Sequence, residues 1–209
     1  MSYQLKRREF LQASLVGSAV VLAGRSALSA TQGPGEAGET SGGFGQSKVR
    51  IAKVYMGVHK AHWPTPKLDL NEEVERYEAE FAKRANEFAD VDFVCNVLAT
   101  TAEEALRLKP ALTDVDGILA IHLSMGILPV LQELLACGKP TMLFAAPYSG
   151  HEWTAFGGLR KKPEGALLEC VLTSDYDQLA AAVRPFRAIH RLREAKILNV
   201  TTRELDPNY

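Results

Sequence analysis

Short, almost wholly apolar segments alternate with amphipathic segments from residue 48 onward. The apolar segments predict five buried strands, at residues 49–58, 92–98, 117–123, 141–146 and 165–173. Apolar residues at three- and four-residue spacing, with capping and stop signals, predict helices at residues 70–89, 101–108, 127–137 and 176–192. Pro185 lies inside the last of these helices and should kink it or divide it in two.

Continuous apolar strands separated by helices are typical of a parallel sheet that is covered on both faces. We therefore predict an α/β fold over residues 48–194, a flavodoxin-like, doubly wound parallel sheet in three layers. Residues 195–209, which include a further strand predicted at 196–201, have two interpretations. They either close one edge of this sheet or begin a second domain. We favour the second interpretation, because five strands already complete the unit.

The first 30 residues have the pattern of an export signal, with a basic start, an apolar run and small residues at the end. Arg7, Arg8, Phe10 and Leu11 resemble the core of a twin-arginine signal, which delivers folded proteins to an export machinery. A periplasmic or extracellular location is then expected. The alternative is a basic amphipathic N-terminus on a cytosolic protein.

No stable membrane anchor is expected from this segment. Its apolar run is shorter than the roughly 18 residues that a membrane span needs, and no cysteine follows it to carry a lipid. Residues 31–47 contain six glycines and no aliphatic side chain larger than that of Ala37, so they predict a flexible linker.

The composition is that of a globular protein, with 46% hydrophobic residues and a formal net charge of −1. Without residues 1–30 the chain would carry 20 basic and 24 acidic residues, so a nucleic-acid partner is not expected. The three cysteines, Cys95, Cys137 and Cys170, lack metal-finger spacing and are expected to be buried thiols.

Polar and aromatic residues gather where three of the predicted strands end. We call these side chains the rim: His59, His62, Trp63, His122, Ser124, Tyr148, His151, Glu152 and Trp153. The carboxyl ends of parallel strands meet at one edge of a sheet, where open α/β folds bind their ligands. The fifth histidine, His190, lies among arginines on the last helix and is expected at the surface.

The rim has three interpretations. It binds a sugar, with tryptophan stacking on the apolar face of a pyranose and His, Ser and Glu bonding its hydroxyls. Alternatively, His59 and His62 join one of His122, His151 or Glu152 around a divalent metal ion. In the third interpretation each side chain only bonds a local turn. The chain has no GxSxG, GxGxxG or Walker A motif to indicate a hydrolase or a nucleotide site.

Several segments resemble the amino-terminal part of the L-fucose/L-arabinose isomerase-like family. They are DGIL at residues 116–119, LLACGKP ending at Pro140, Leu143 with Phe144, PYSGHE at 147–152 and RAIHRLREAKIL at 187–198. The resemblance covers residues 48 to about 200.

This resemblance implies an aldose–ketose isomerase that acts on a free sugar by an enediol pathway. In that family, Glu, Asp and His from later domains hold a divalent metal, usually manganese, and none of those ligands can be matched in this chain. The family's amino-terminal domain helps to close a neighbouring subunit's pocket, which implies a homo-oligomer. The chain is therefore expected to be the amino-terminal domain of an exported isomerase-like protein that is inactive alone.

Two alternatives remain. The chain is a stand-alone periplasmic sugar-binding or partner domain without catalysis, or a metal-dependent hydrolase or lyase that uses His59, His62 and Glu152.

Overall fold

Residues 47–196, the part of the chain that the computed structural model describes, contain five strands with helices between them. The strands are β1 (Val49–Met56), β2 (Val91–Ala99), β3 (Gly117–His122), β4 (Thr141–Ala145) and β5 (Leu168–Leu172). The helices are α1 (Leu70–Lys83), α2 (Ala102–Arg107), α3 (Leu128–Leu135), α4 (Phe156–Leu159), α5 (Gln178–Ala182) and α6 (Arg184–Glu194). The predicted signal peptide, nearly all of the predicted linker and the strand predicted beyond Lys196 lie outside the described residues.

All strand pairs are parallel, and the strand order is β2-β1-β3-β4-β5. The prediction of a flavodoxin-like, doubly wound α/β fold is therefore confirmed. β1 and β3 are paired from Ile51 with Gly117 to Met56 with His122, so both strands end at the same level. The chain order reverses between them, and such a switch point opens a crevice beyond the strand ends.

The two faces of the sheet are covered by different helices, and β1 shows the alternation that this requires. Val49, Ile51 and Tyr55 lie in one core cluster with the buried residues of α1, α5 and α6. The alternate residues Ala52, Val54 and Met56 lie in the other, with the buried residues of α2, α3 and α4. None of these six β1 side chains is exposed to solvent. Side chains on both faces of β1 are thus buried, which explains why its sequence is apolar except at the exposed Arg50 and at Lys53. None of the helices within residues 47–196 combines the length and apolarity that a membrane span requires.

Lys53 is the charged side chain of β1 that is buried, since it is only 3% exposed. Its Nζ lies 2.5 Å from Oε1 of Glu78 on α1 and 4.4 Å from the centroid of the Phe81 ring. Burial lowers the pKa of Lys53, while the bond to Glu78 opposes that shift. The Tyr55 hydroxyl donates to the same carboxylate. A charged pair thus joins α1 to the sheet inside an otherwise apolar layer.

The helix predicted at residues 70–89 ends earlier than the sequence indicates. Asp69 caps its start by accepting hydrogen bonds from the backbone N–H groups of Asn71 at 2.8 Å and Glu72 at 3.4 Å. At Arg84 the chain leaves the α-helical conformation and continues as a 3-10 turn over Ala85–Phe88. This tighter turn places Phe88 against Phe81, with 5.4 Å between their ring centroids.

The last predicted helix, at residues 176–192, is divided in two as Pro185 predicts. α5 ends at Ala182 and α6 starts at Arg184, so that Pro185 occupies the first turn of α6, where its missing N–H is not needed. The strand predicted at residues 165–173 starts later, at Leu168, because Pro163–Gly165 forms a 3-10 turn. There a Cβ on Gly165 would lie 2.0 Å from the Leu159 carbonyl oxygen, so only glycine permits this approach.

Replacing Gly117 with alanine should destabilise the fold, because the new Cβ would lie 2.2 Å from Cδ1 of the buried Phe186 ring. We expect Gly117→Ala to lower the free energy of unfolding by about 1–3 kcal/mol, the usual cost of overpacking a core, in urea denaturation. The matched control is Gly158→Ala on α4, where no atom lies within 4 Å of the added Cβ. Equal stability of the two variants would contradict the packing described here.

Candidate functional site

The rim residues lie at the carboxyl edge of the sheet, in three segments that follow β1, β3 and β4. His122 is the last residue of β3, and the β4 segment continues through Ser149 into a 3-10 turn over Glu152–Ala155. The Ser124 hydroxyl accepts a hydrogen bond of 2.7 Å from the Val58 N–H, which ties the β3 segment to the β1 segment. The switch point therefore brings together side chains that are far apart in the sequence.

The centre of this edge is a buried hydrogen-bond network around His122, which has no exposed surface. Its Nδ1 lies 2.7 Å from Oγ of Ser149, and its Nε2 lies 2.9 Å from Oε2 of Glu152. The Ser149 hydroxyl also lies 2.8 Å from the Ala146 carbonyl oxygen. Both ring nitrogens of His122 are thus occupied by protein partners, so neither is free to contact a ligand.

The hydrogens of this network can be deduced from what each group can donate. An ionised Glu152 only accepts, so Nε2 of His122 carries a hydrogen. Ser149 has one hydroxyl hydrogen, and directs it either to the Ala146 carbonyl or to Nδ1. In the first case Nδ1 donates to Ser149, and in the second it accepts. Either arrangement satisfies every polar atom of the network, as burial requires.

Glu152 is the residue that joins the β3 segment to the β4 segment most closely. Its Oε1 accepts a hydrogen bond from the Gly126 N–H, while Oε2 accepts from His122 and, at 3.2 Å, from the His151 N–H. Burial alone would raise the pKa of Glu152, but the bonds from His122 and Gly126 outweigh it and lower the pKa from 4.5 to about 2. The carboxylate is therefore ionised at neutral pH and fully engaged within the protein.

Glycine is required at two positions beside this carboxylate. Gly126 has a φ of +98°, in the region that side chains with a Cβ rarely adopt. A Cβ on Gly150 would lie 2.6 Å from Cε1 of His122 and 2.7 Å from Oε2 of Glu152. The SGHE sequence at residues 149–152 thus combines a serine, a glycine and a glutamate that the network needs, whereas its histidine points elsewhere.

Outside the network, the rim presents an exposed aromatic pair. Trp63 is 43% exposed, and its ring stacks on that of the exposed His151, with 6.2 Å between centroids and 23° between planes. His62 is exposed next to Trp63 in the chain. Tyr148 is 42% exposed, and its hydroxyl accepts a 3.2 Å hydrogen bond from Nη1 of Arg76.

Two of the predicted rim residues contribute to the interior instead. The indole N–H of Trp153 donates to the Gly150 carbonyl at 2.7 Å, and its half-buried ring packs against the core cluster beneath α3 and α4. Ser124 has no exposed surface. These two side chains support the site from the interior. The accessible groups are those of Trp63, His151, His62 and Tyr148.

The segment after β1 also borders an open cleft of about 460 Å³ against the start of α1. It is lined by His59, Lys60, Pro66, Lys67, Leu68, Asp69, Leu70 and Asn71. Sequence reasoning selected His59 but missed Lys60 and Lys67. The concentration of basic residues in a loop that follows a buried strand could have indicated these two lysines.

Within residues 47–196, no three His, Cys, Asp or Glu side chains are grouped closely enough to hold a metal ion. The described residues therefore do not fit a manganese site, nor the grouping of His59 and His62 with other rim residues. Cys95, Cys137 and Cys170 are half-buried free thiols, and burial raises the pKa of each.

His190 is not at the surface as the sequence led us to expect, because its side chain is only 12% exposed. Its Nδ1 lies 2.9 Å from Oδ2 of Asp116, and its Nε2 lies 2.9 Å from Oγ of Ser47. Glu194 contacts both His190 and Ser47. This cluster lies at the amino edge of the sheet, opposite the rim, and attaches the start of the folded chain to α6.

Comparison with known proteins found no matching protein-family model, no matching curated protein and no matching solved structure. Any function for this chain must therefore follow from the geometry of the site.

Replacing Glu152 with glutamine should remove a pH-dependent contribution to stability. Because the pKa of Glu152 is lower in the folded chain than its ordinary value of 4.5, ionised Glu152 stabilises the fold above about pH 4.5. That contribution is lost as the pH falls from 4.5 towards 2. We expect Glu152→Gln to lower the free energy of unfolding by about 2 kcal/mol at pH 7, with a smaller loss at pH 3, in urea denaturation at both pH values.

The control for this prediction is Glu164→Gln, which alters an exposed carboxylate outside the network. Its stability should differ little from that of the unmodified chain at either pH. A loss for Glu152→Gln that does not shrink in acid would show that the charge of Glu152 is not what stabilises the network.

Proposed function

We propose that this chain binds a sugar at the rim, as the non-catalytic amino-terminal domain of an exported protein related to the sugar isomerases. The observation that carries the proposal is the exposed stack of Trp63 and His151 at the switch point of the sheet. An indole face that remains open to solvent is suited to receive the apolar face of a pyranose ring. Soluble proteins otherwise bury most of their tryptophan surface.

Polar groups that can bond sugar hydroxyls lie on the same segments as this aromatic pair. His62 and His151 are exposed and can donate or accept, and the Tyr148 hydroxyl can donate while it accepts from Arg76. The His122 network beneath them holds the β3 and β4 segments together. The β1 segment is attached to the β3 segment by the bonds of Val58 with Ser124 and of Met125 with Trp63. A surface whose supports are fully hydrogen-bonded loses little flexibility on binding, which favours affinity.

The same network argues against catalysis by this domain alone. Isomerisation through an enediol needs an acid and a base that reach the substrate. The obvious pair, His122 and Glu152, is buried and mutually bonded, so it does not meet that condition. The manganese that such isomerases use would supply Lewis-acid chemistry to the substrate oxygens. Residues 47–196 provide no group of three side chains that could serve as its ligands.

Export is part of the proposal, and it is supported by the twin-arginine-like pattern at Arg7, Arg8, Phe10 and Leu11. Cell fractionation followed by intact-mass measurement tests it, because an exported chain should lack the first 30 or so residues. A native mass above the 22.9 kDa of this chain would indicate further domains. A mass below it would favour a stand-alone sugar-binding domain with the same rim.

Replacing Trp63 with alanine should weaken sugar binding at least tenfold, because truncating a central aromatic contact typically costs about 2 kcal/mol and each 1.4 kcal/mol is about tenfold in affinity. Isothermal titration calorimetry with L-fucose, L-arabinose, D-galactose and D-glucose measures this directly. The control is Leu192→Ala on α6, which removes a 75% exposed apolar side chain outside the rim. Unchanged affinity of Trp63→Ala would contradict stacking on the indole.

The chain of 209 residues should not interconvert these aldoses and their ketoses when manganese is added. Chromatographic detection of the ketose after prolonged incubation is the measurement. Metal-dependent turnover would contradict the non-catalytic assignment while leaving the binding surface intact.

A further inference from the structure

We propose that the sugar carries an anionic group, and that Lys60 and Lys67 bind this group in the cleft beside the start of α1. This inference rests on the proposed sugar-binding function, since Trp63 and the cleft belong to the same segment after β1. It adds a substrate class, an acidic sugar, to a site that would otherwise be expected to take a neutral one.

The cleft has the size and position of a ligand site. Its volume of about 460 Å³ falls within the range of roughly 300–1,000 Å³ that small-molecule sites occupy. It opens at the carboxyl edge of the sheet, where β1 ends beside the switch point. Leu68 and Leu70 give it an apolar wall, and His59 stands with the two lysines on its lining.

The charges of the cleft are not neutralised by the part of the chain that the structure describes. Lys60 and Lys67 have no carboxylate oxygen within 4.0 Å among residues 47–196, whereas Lys53, Lys83 and Lys109 each pair with a glutamate. Asp69 lines the cleft, but its Oδ1 already accepts two hydrogen bonds from the backbone at the start of α1. Two lysines and one aspartate thus leave the lining of the cleft with an excess of positive charge, which favours an anionic ligand.

Those capping bonds also decide which groups would hold the anion. In the first turn of α1, the N–H groups of Asn71 and Glu72 donate to Asp69 and are not available to a ligand. The anion would therefore be held chiefly by side chains, with Lys60 and Lys67 as point charges and His59 as a further donor.

The backbone at Lys60 gives independent support. Its φ is +58°, and within residues 47–196 no other residue except glycine has a positive φ. Glycine or asparagine adopts this conformation with less strain, so a lysine here carries a conformational cost. Such outliers persist where the surrounding structure needs them and are common at ligand sites. The cost is understandable if the lysine side chain binds a ligand.

A carboxylate, a sulfate ester and a phosphate ester share the chemistry that two lysines recognise. Calorimetry at 50 mM NaCl therefore compares D-glucose and D-galactose with D-glucuronate, D-galacturonate, and the 6-sulfate and 6-phosphate of each sugar. We expect at least one acidic sugar to bind about tenfold more tightly than its neutral counterpart. The difference should shrink in 0.5 M NaCl, because salt screens exposed charges.

The decisive variant is the double substitution Lys60→Gln with Lys67→Gln, which should abolish the preference for the acidic sugar and leave the affinity for the neutral sugar unchanged. The matched control is Lys161→Gln with Lys162→Gln, which removes the same charge from an exposed loop elsewhere. This control should retain the preference. Circular dichroism melts of both variants establish that they remain folded.

The outcomes separate this inference from the function on which it rests. Equal affinity for acidic and neutral sugars, both lost in Trp63→Ala, would overturn the anion site and leave the sugar-binding proposal standing. Tighter binding of acidic sugars that Trp63→Ala does not weaken would overturn the stacking surface and leave the anion site standing. Inorganic phosphate or sulfate that binds as tightly as the sugar esters would overturn the acidic-sugar assignment, and no binding of any sugar would overturn both proposals.

Discussion

The ionised carboxylate of Glu152 is the constraint on which the carboxyl edge of the sheet depends. It accepts hydrogen bonds from the last residue of β3, from the Gly126 backbone before α3 and from the His151 N–H. A carboxylate that is taken out of water is stable only when its lone pairs are occupied in this way. Two segments that leave the sheet from different strands are thereby held at a defined separation. His151, one member of the aromatic pair at the surface, is held in place by its N–H bond to this carboxylate.

The rim therefore consists of buried residues, which hold its segments in place, and exposed residues, which are accessible to a ligand. His122, Ser124 and Ser149 are buried and bonded to the protein, whereas Trp63 and His151 face solvent. Histidine and glutamate are residue types that suggest acid–base catalysis, but His122 and Glu152 are bonded to each other and hold the site together. The rim residues that remain accessible are suited to stacking and to hydrogen bonding with hydroxyls, which is why the geometry favours binding over catalysis.

The segment between β1 and α1 has two roles in the functions that we propose, and the fold explains how one segment could serve both. Its middle, near Trp63, is bonded to the β3 segment through the Trp63 carbonyl and the Met125 N–H at 3.1 Å. Its end is fixed by Asp69 at the start of α1, and α1 is in turn anchored on β1 through Glu78 and Lys53. A long loop held at both ends and in the middle can display an aromatic ring and two ammonium groups at modest entropic cost.

The sequence by itself determined the layered fold, because the signals involved are local. Strands buried on both faces must be apolar at every position, as residues 118–121 are, and a proline within a helical pattern must begin or break a helix, as Pro185 does. The threonine cap at Thr101 and the helix stop at Gly138, whose φ is +66°, could be predicted for the same reason. The sequence also predicted which strand ends would carry the polar and aromatic residues.

Only the tertiary structure decided which of those residues face solvent. The contacts of His122 with Glu152, of Lys53 with Glu78 and of His190 with Asp116 join residues 30, 25 and 74 positions apart. Their partners are set by strand order and by register. The sequence around a histidine or lysine does not predict whether a carboxylate will lie beside it once the sheet has formed. Burial and pairing are properties of the assembled fold, and they separate the supporting side chains from those that are free to bind.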